Sequence, residues 1–127
     1  MSKGEIIRSF NSILENFLQQ VSPLIGTSYC HYFKQFIKAN CVLPIQYFIN
    51  YIYNDNTSLE NKILNRDETY FTDPDTYSEI TKEYDSGMME IIRLKGIYEQ
   101  LSSESKDNVW DISQALLILS KEYLALK

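Results

Sequence analysis

Apolar residues recur at intervals of three and four along most of this chain, which is the spacing of amphipathic helices. The clearest case is the opening segment, where Ser2 and Glu5 form an S-x-x-E capping box before an apolar row that reaches Val21. We expect Ser22 and Pro23 to end this helix, because proline has no backbone N–H to donate inside a helix. The opening segment therefore predicts one long, well-capped helix.

The same spacing predicts further helices. A second should open at Gly26 and Thr27, a third near Pro44, a short fourth should include Leu59, and a last one should follow Ser102. No segment shows the alternating pattern of a strand, so we predict an all-α fold, a single domain over residues 1–127 built as a bundle of five to seven helices. The large side chains expected to be buried in its core are Phe10, Phe17, Phe33, Phe36, Phe48, Trp110 and Leu116.

Negative charge is concentrated in one internal segment. The whole chain has a net charge of −5, and residues 67–90 contain eight acids and one base. Within it, Asp73, Pro74 and Asp75 match the N-cap, first-turn proline and dipole-facing carboxylate of a helix start. We expect the stretch from Asp67 to Asp85 to be surface loop and short helix, with a break near Ser86 and more mobility than other internal parts.

The residues that usually carry catalysis or bind metals are sparse. His31 is the single histidine, and we expect an ordinary surface or packing role for it. Asp73, Asp75 and Glu79 superficially resemble a calcium loop, but the glycine and glutamate that such a loop needs are Ser78 and Tyr84 here. We therefore predict no catalytic residue, no metal and no cofactor, and the hypothesis of an enzyme ranks low.

Charge and hydropathy also limit the expected partners. The four glycines stand singly, so no phosphate-binding loop is visible, and no basic stripe favours nucleic acid or an anionic membrane. The apolar runs are far shorter than the roughly 20 residues of a spanning helix, so we expect no membrane insertion. Cys30 and Cys41 lack a pattern of disulfides or metal ligands, which favours an intracellular protein.

Tyrosines offer the best candidates for a partner-binding surface. Ten occur in the chain, and Tyr47, Tyr51 and Tyr53 fall close together around the third predicted helix. The alternative, that these are half-buried residues at the edge of the core, stays open. The predicted partner-binding residues are these three tyrosines together with six acids of the acidic segment, Asp67, Glu68, Asp73, Asp75, Glu79 and Glu83.

The chain contains a Pro-Ile-aromatic helix (Pro44, Ile45, Phe48), an Asn-Arg-Asp-Glu run before two aromatics (Asn65 to Glu68, Tyr70, Phe71), and a closing pattern (Ile91, Leu94, Lys95, Tyr98, Leu101, Trp110, Ala115 to Tyr123). Together with the Phe-rich opening helix, these patterns resemble small uncharacterised helical proteins of large nucleocytoplasmic DNA viruses, the giant viruses. Tyr98 stands where tryptophan is expected to be common. The resemblance implies a setting in the host cytoplasm or viral assembly site, and no activity.

These observations lead to a ranked set of functions. The first hypothesis is a non-enzymatic interaction or adaptor protein, virus-encoded, that binds a protein partner with a basic surface. The second is a minor structural component of the virion, and the third is a small enzyme or enzyme-regulating subunit. We expect no binding to nucleic acid or membrane, and homo-oligomerisation stays open.

Overall fold

In the computed structural model, residues 2–53, 59–68, 91 and 95–126 are described. Their regular structure is entirely helical, with no strand in these ranges, which confirms the predicted all-α fold. The six helices of these ranges are α1 (Lys3–Ile25), α2 (Ser28–Ala39), α3 (Leu43–Ile52), α4 (Leu59–Leu64), α5 (Lys95–Glu99) and α6 (Ser103–Ala125).

The start of α1 is fixed by the predicted capping box. The Ser2 hydroxyl accepts a hydrogen bond from the Glu5 N–H at 3.2 Å, and the Ser2 N–H donates to the Glu5 carboxylate at 3.3 Å. These bonds satisfy backbone donors that have no partner within the helix. The hydrogen bond from the Ser2 backbone, followed by that from its hydroxyl, lowers the pKa of Glu5.

The predicted end of α1 is wrong. The helix passes through Ser22 and Pro23 and ends at Ile25, before Gly26 at φ 91°. A residue with an N–H at position 23 would donate to the carbonyl of Gln19; here the Ser22 hydroxyl donates to that carbonyl at 2.9 Å. The local hydroxyl thus replaces the bond that proline cannot make, and the helix continues for two residues beyond Pro23.

The long helix α1 lies at the centre of the bundle and packs against α2, α3 and α6. Phe10 is fully buried and meets Phe48 of α3 edge-on, with ring centroids 5.6 Å apart. The predicted core residues that are buried are Phe10, Phe17, Phe33, Phe48, Trp110 and Leu116. Phe36 departs from the prediction: it is partly exposed, stacked on Tyr32 and edge-on to Tyr47.

A short turn joins α2 to α3. The Asn40 side-chain oxygen accepts a hydrogen bond from the Val42 N–H at 3.1 Å, and the Leu43 N–H bonds back to the Asn40 carbonyl. Pro44 occupies the first turn of α3, as predicted. The Asn11 side chain of α1 donates to the Cys41 carbonyl at 2.9 Å and so fixes the turn to the core.

A further aromatic contact joins α5 to α6. Ser102 caps α6, with its hydroxyl accepting from the Ser105 N–H at 3.4 Å. Trp110 is 5% exposed and meets Tyr98 of α5 edge-on at 6.2 Å, which confirms the prediction that this tryptophan is a core residue. The Lys106 ammonium lies 5.0 Å from the centroid of the same tyrosine ring.

Several predictions concern residues outside the described ranges. The helix start at Asp73, the break near Ser86 and the mobility of the acidic segment are among them. Apolar residues at helical spacing also run from Met88 to Leu101, and of this segment the structure describes Ile91, which is buried and helical, and the residues from Lys95 onward.

Candidate interaction surface

Three exposed apolar side chains occur where α3 ends and where α4 runs beside α6. Tyr53 is 38% exposed, Leu64 49% and Ile118 56%. We call them the α4–α6 patch. Single exposed apolar residues are normal on soluble proteins, whereas a group of them marks a surface that gains free energy when covered. The placement of the two helices decides whether these three form such a group.

Polar contacts fix α4 antiparallel to α6. The Gln114 amide of α6 donates to the carbonyls of Ile63 and Leu64 at 3.2 and 3.4 Å, and it thereby caps the end of α4. At the other end of α4, the Lys121 ammonium lies 2.6 Å from the Glu60 carboxylate. Ile118 is four residues after Gln114 and three before Lys121, so it shares their face of α6. The patch is therefore one strip along the seam between the two helices.

Tyr53 joins this strip through the same ion pair. Burial raises the pKa of Tyr53, and the negative charge of Glu60, to which the phenol is hydrogen-bonded, raises it further. The hydrogen bond and ion pair with Glu60 also raise the pKa of Lys121. At neutral pH the phenol is therefore protonated and the ammonium charged, and the three side chains connect the end of α3 to α4 and α6.

Charged residues border the far end of the patch. Arg66, in the left-handed region at φ 51°, forms an ion pair with Asp111 and donates to the Gln114 side-chain oxygen at 3.4 Å. Asp67 and Glu68 follow directly and are exposed. The border of the patch therefore contains the ion pair of Arg66 with Asp111, and the acidic segment of the chain begins next to it.

The predicted partner-binding residues separate in the structure. Tyr47 is partly buried beside Phe36, with ring centroids 5.8 Å apart, and Tyr51 is 7% exposed and belongs to the core. Tyr53 alone of the three tyrosines lies at the α4–α6 patch, beside Glu60 at the start of α4, whereas Asp67 and Glu68 follow the other end of that helix. The remaining predicted residues lie outside the described ranges; they are Asp73, Asp75, Glu79 and Glu83.

Two members of the patch were missed by sequence reasoning. Ile118 stands inside the apolar run Leu116 to Leu119, whose other members are buried, so composition alone places it in the core. The sequence does contain one signal for the exposure of Ile118, which is its angle around the helix axis. Position 118 points about 100° away from both neighbours, toward the face of Gln114 and Lys121. Leu64 likewise follows a buried apolar residue, Ile63, so its residue type alone predicts a place in the core.

Two findings bear on other classes of site. Within the described part of the chain, no three His, Cys, Asp or Glu side chains come together in a way that could hold a metal ion. In the same ranges, none of the helices combines the length and the apolar character needed to cross a membrane.

Comparison with known proteins gives no match: no protein-family model, no curated protein and no solved structure matches this chain. The resemblance to giant-virus proteins thus stays a prediction from the sequence.

Proposed function

We propose that this protein is a non-enzymatic interaction protein that binds a partner protein through the α4–α6 patch. The proposal rests on the exposure of Tyr53, Leu64 and Ile118 and on the hydrogen bonds and ion pair that place α4 antiparallel to α6. Interfaces of this kind have an apolar centre, often with an aromatic anchor, surrounded by a polar rim. Here Tyr53 is the aromatic anchor, and the ion pairs of Lys121 and Arg66 lie at the rim.

The charges near the patch indicate the chemistry of the partner. Glu60 and Asp111 form ion pairs with Lys121 and Arg66, and the acidic residues of the chain are concentrated in the segment that follows α4. Residues 67–90 hold eight acids and one base. We propose a partner that presents an apolar surface flanked by Lys or Arg, so that raising the salt concentration slows association.

The resemblance of the sequence to small giant-virus proteins supports a viral setting. We propose that the protein acts in the host cytoplasm or at the viral assembly site. A role as a minor virion component is the second hypothesis; mass spectrometry of purified particles distinguishes the two, because an adaptor of the infected cell is depleted from particles.

An affinity pull-down with matched variants tests the patch. Ile118→Glu places a charge on the patch, while Leu24→Glu makes the same change at a residue of equal exposure, 56%, on α1. We expect the wild-type protein and Leu24→Glu to capture the same partner from expressing cells, and Ile118→Glu to lose it. Far-ultraviolet circular dichroism checks that both variants are folded. Equal capture by the two variants would show that the patch is not the binding surface.

A further inference from the structure

A basic groove lies on another part of the molecule, where α2 packs against α1. Its volume is about 470 Å³. The α2 side of the groove is lined by His31, Lys34, Gln35 and Lys38, and its borders include Glu15 of α1 and Cys41 of the α2–α3 turn. None of these residues belongs to the α4–α6 patch.

The spacing of these residues explains why they line one groove. Positions 31, 34, 35 and 38 of α2 recur at intervals of three and four, so their side chains share a face of the helix. All four are exposed. The turn that carries Cys41 is fixed by the hydrogen bond from Asn11, which lies one helical turn before Glu15. This hydrogen bond holds the turn that borders the groove in place.

The charges in the groove are only partly neutralised within the molecule. The Lys34 ammonium lies 3.9 Å from the Glu15 carboxylate, and the Lys34 side chain is 50% exposed. Such a long, solvated pair exchanges readily with another anion, because exposed ion pairs contribute little stability. Among the described residues, Lys38 has no carboxylate partner. A protein with a net charge of −5 thus presents two lysines and a histidine in one groove.

We propose that this groove binds an acidic peptide segment of a partner protein, with Lys34 and Lys38 each pairing with one carboxylate. The two lysines are four residues apart, which is about 6 Å along the helix. Alternate side chains of an extended peptide are separated by about 6.6 Å, so acids at positions i and i+2 match this distance. Gln35, between the two lysines, is placed to bond to the peptide backbone.

The groove is a second surface, separate from the α4–α6 patch and suited to a partner of the opposite charge. A protein with both surfaces would join a basic partner at the α4–α6 patch to an acidic partner at the α1–α2 groove. Nucleic acid does not suit the groove, because affinity for a phosphate backbone comes from many Lys and Arg contacts, and this groove offers two lysines.

Fluorescence anisotropy with a labelled peptide of alternating Glu and Ser tests the groove. The double variant Lys34→Gln/Lys38→Gln removes two charges from it, and Lys3→Gln/Arg8→Gln removes two from exposed positions of α1 outside it. We expect about a tenfold loss of affinity in the groove variant and less than about twofold in the control. The matching Gln-Ser peptide should not bind, and Ile118→Glu should bind the acidic peptide like wild type even though it loses its partner.

Three results would overturn the proposal. Equal losses of peptide affinity in the two double variants would mean that the peptide responds to the net charge of the protein and not to the groove. Complete displacement of the peptide by an equal concentration of inorganic phosphate would mean that any small anion satisfies the groove. Salt-sensitive self-association in sedimentation velocity, abolished by Lys34→Gln/Lys38→Gln, would make a second copy of this chain the occupant.

Discussion

The Asn11 amide donates a hydrogen bond to the Cys41 carbonyl across 30 positions of sequence. Asn11 is 7% exposed and is the only polar residue with a large side chain among the buried polar residues of the described chain, the others being Ser113 and Ser120. Its side-chain oxygen is buried with no hydrogen-bonding protein partner among the described residues. Buried amides of this kind fix one geometry, because any other arrangement leaves more polar atoms unpaired.

Replacing Asn11 should therefore destabilise the fold. We expect Asn11→Ala to lower the free energy of unfolding by about 1–3 kcal/mol, since it removes a buried hydrogen bond and leaves space. Asn16→Ala is the matched control, because Asn16 is exposed on the same helix and alanine favours helix there. Urea denaturation measures both. Equal midpoints for the two variants would contradict a structural role for Asn11.

Two phenylalanines on α2 make a second comparison. Phe33 is completely buried, whereas Phe36 is partly exposed between Tyr32 and Tyr47. We expect Phe33→Ala to cost about 3–5 kcal/mol and Phe36→Ala about 1–2 kcal/mol, because less apolar area returns to water at position 36. Thermal or urea unfolding gives both values, and a larger cost at Phe36 would show that the faces of α2 are assigned incorrectly.

Tyr98 should make stability fall at alkaline pH. Burial, then the negative charge of Glu68, raises the pKa of Tyr98 above its ordinary value near 10. The unfolded chain loses this proton at lower pH, so the stabilisation is complete below about pH 10 and is lost as pH rises through the folded-state pKa. Tyr98→Phe should weaken the fall in urea midpoint above about pH 10. Tyr123→Phe, another tyrosine bordering the core, is the control; identical pH profiles for wild type and Tyr98→Phe would refute the assignment.

The helices themselves were largely predictable, because their signals are local. The Ser2–Glu5 box, Pro44 and the Ser102 cap each act within one turn, and each marks a helix start in the structure. Pro23 does not end α1 as predicted, because its effect depends on a neighbouring side chain. The Ser22 hydroxyl donates a hydrogen bond to the Gln19 carbonyl, and the helix continues.

The candidate surfaces were less predictable, because exposure depends on which helices meet. Tyr51 and Tyr53 differ by two positions, yet one faces the core and the other reaches Glu60 of α4. Leu64 and Ile118 are apolar residue types that usually lie in a core. They are exposed here because of the way α4 lies antiparallel on α6. Such tertiary pairings are not encoded in any single helix.

Duplex DNA should not bind at physiological salt. The net charge is −5, and the basic groove contributes only two lysines, Lys34 and Lys38, whereas non-specific affinity for DNA comes from many phosphate contacts. Fluorescence anisotropy with a labelled duplex checks this across a salt series. Micromolar affinity that weakens steeply with salt would contradict it.

The pairing of the first described helix with the last has a consequence during protein synthesis. The Lys3 ammonium lies 5.2 Å from the centroid of the Tyr123 ring, so α1 begins where α6 ends, and α6 packs along α1. A ribosome adds about 5–20 residues per second, so α6, which begins at Ser103, follows α1 by roughly 5–20 s. During that interval the nascent chain presents the uncovered side of α1 to the cell, and a translation product that stops before Ser103 keeps that side exposed to chaperones and proteases.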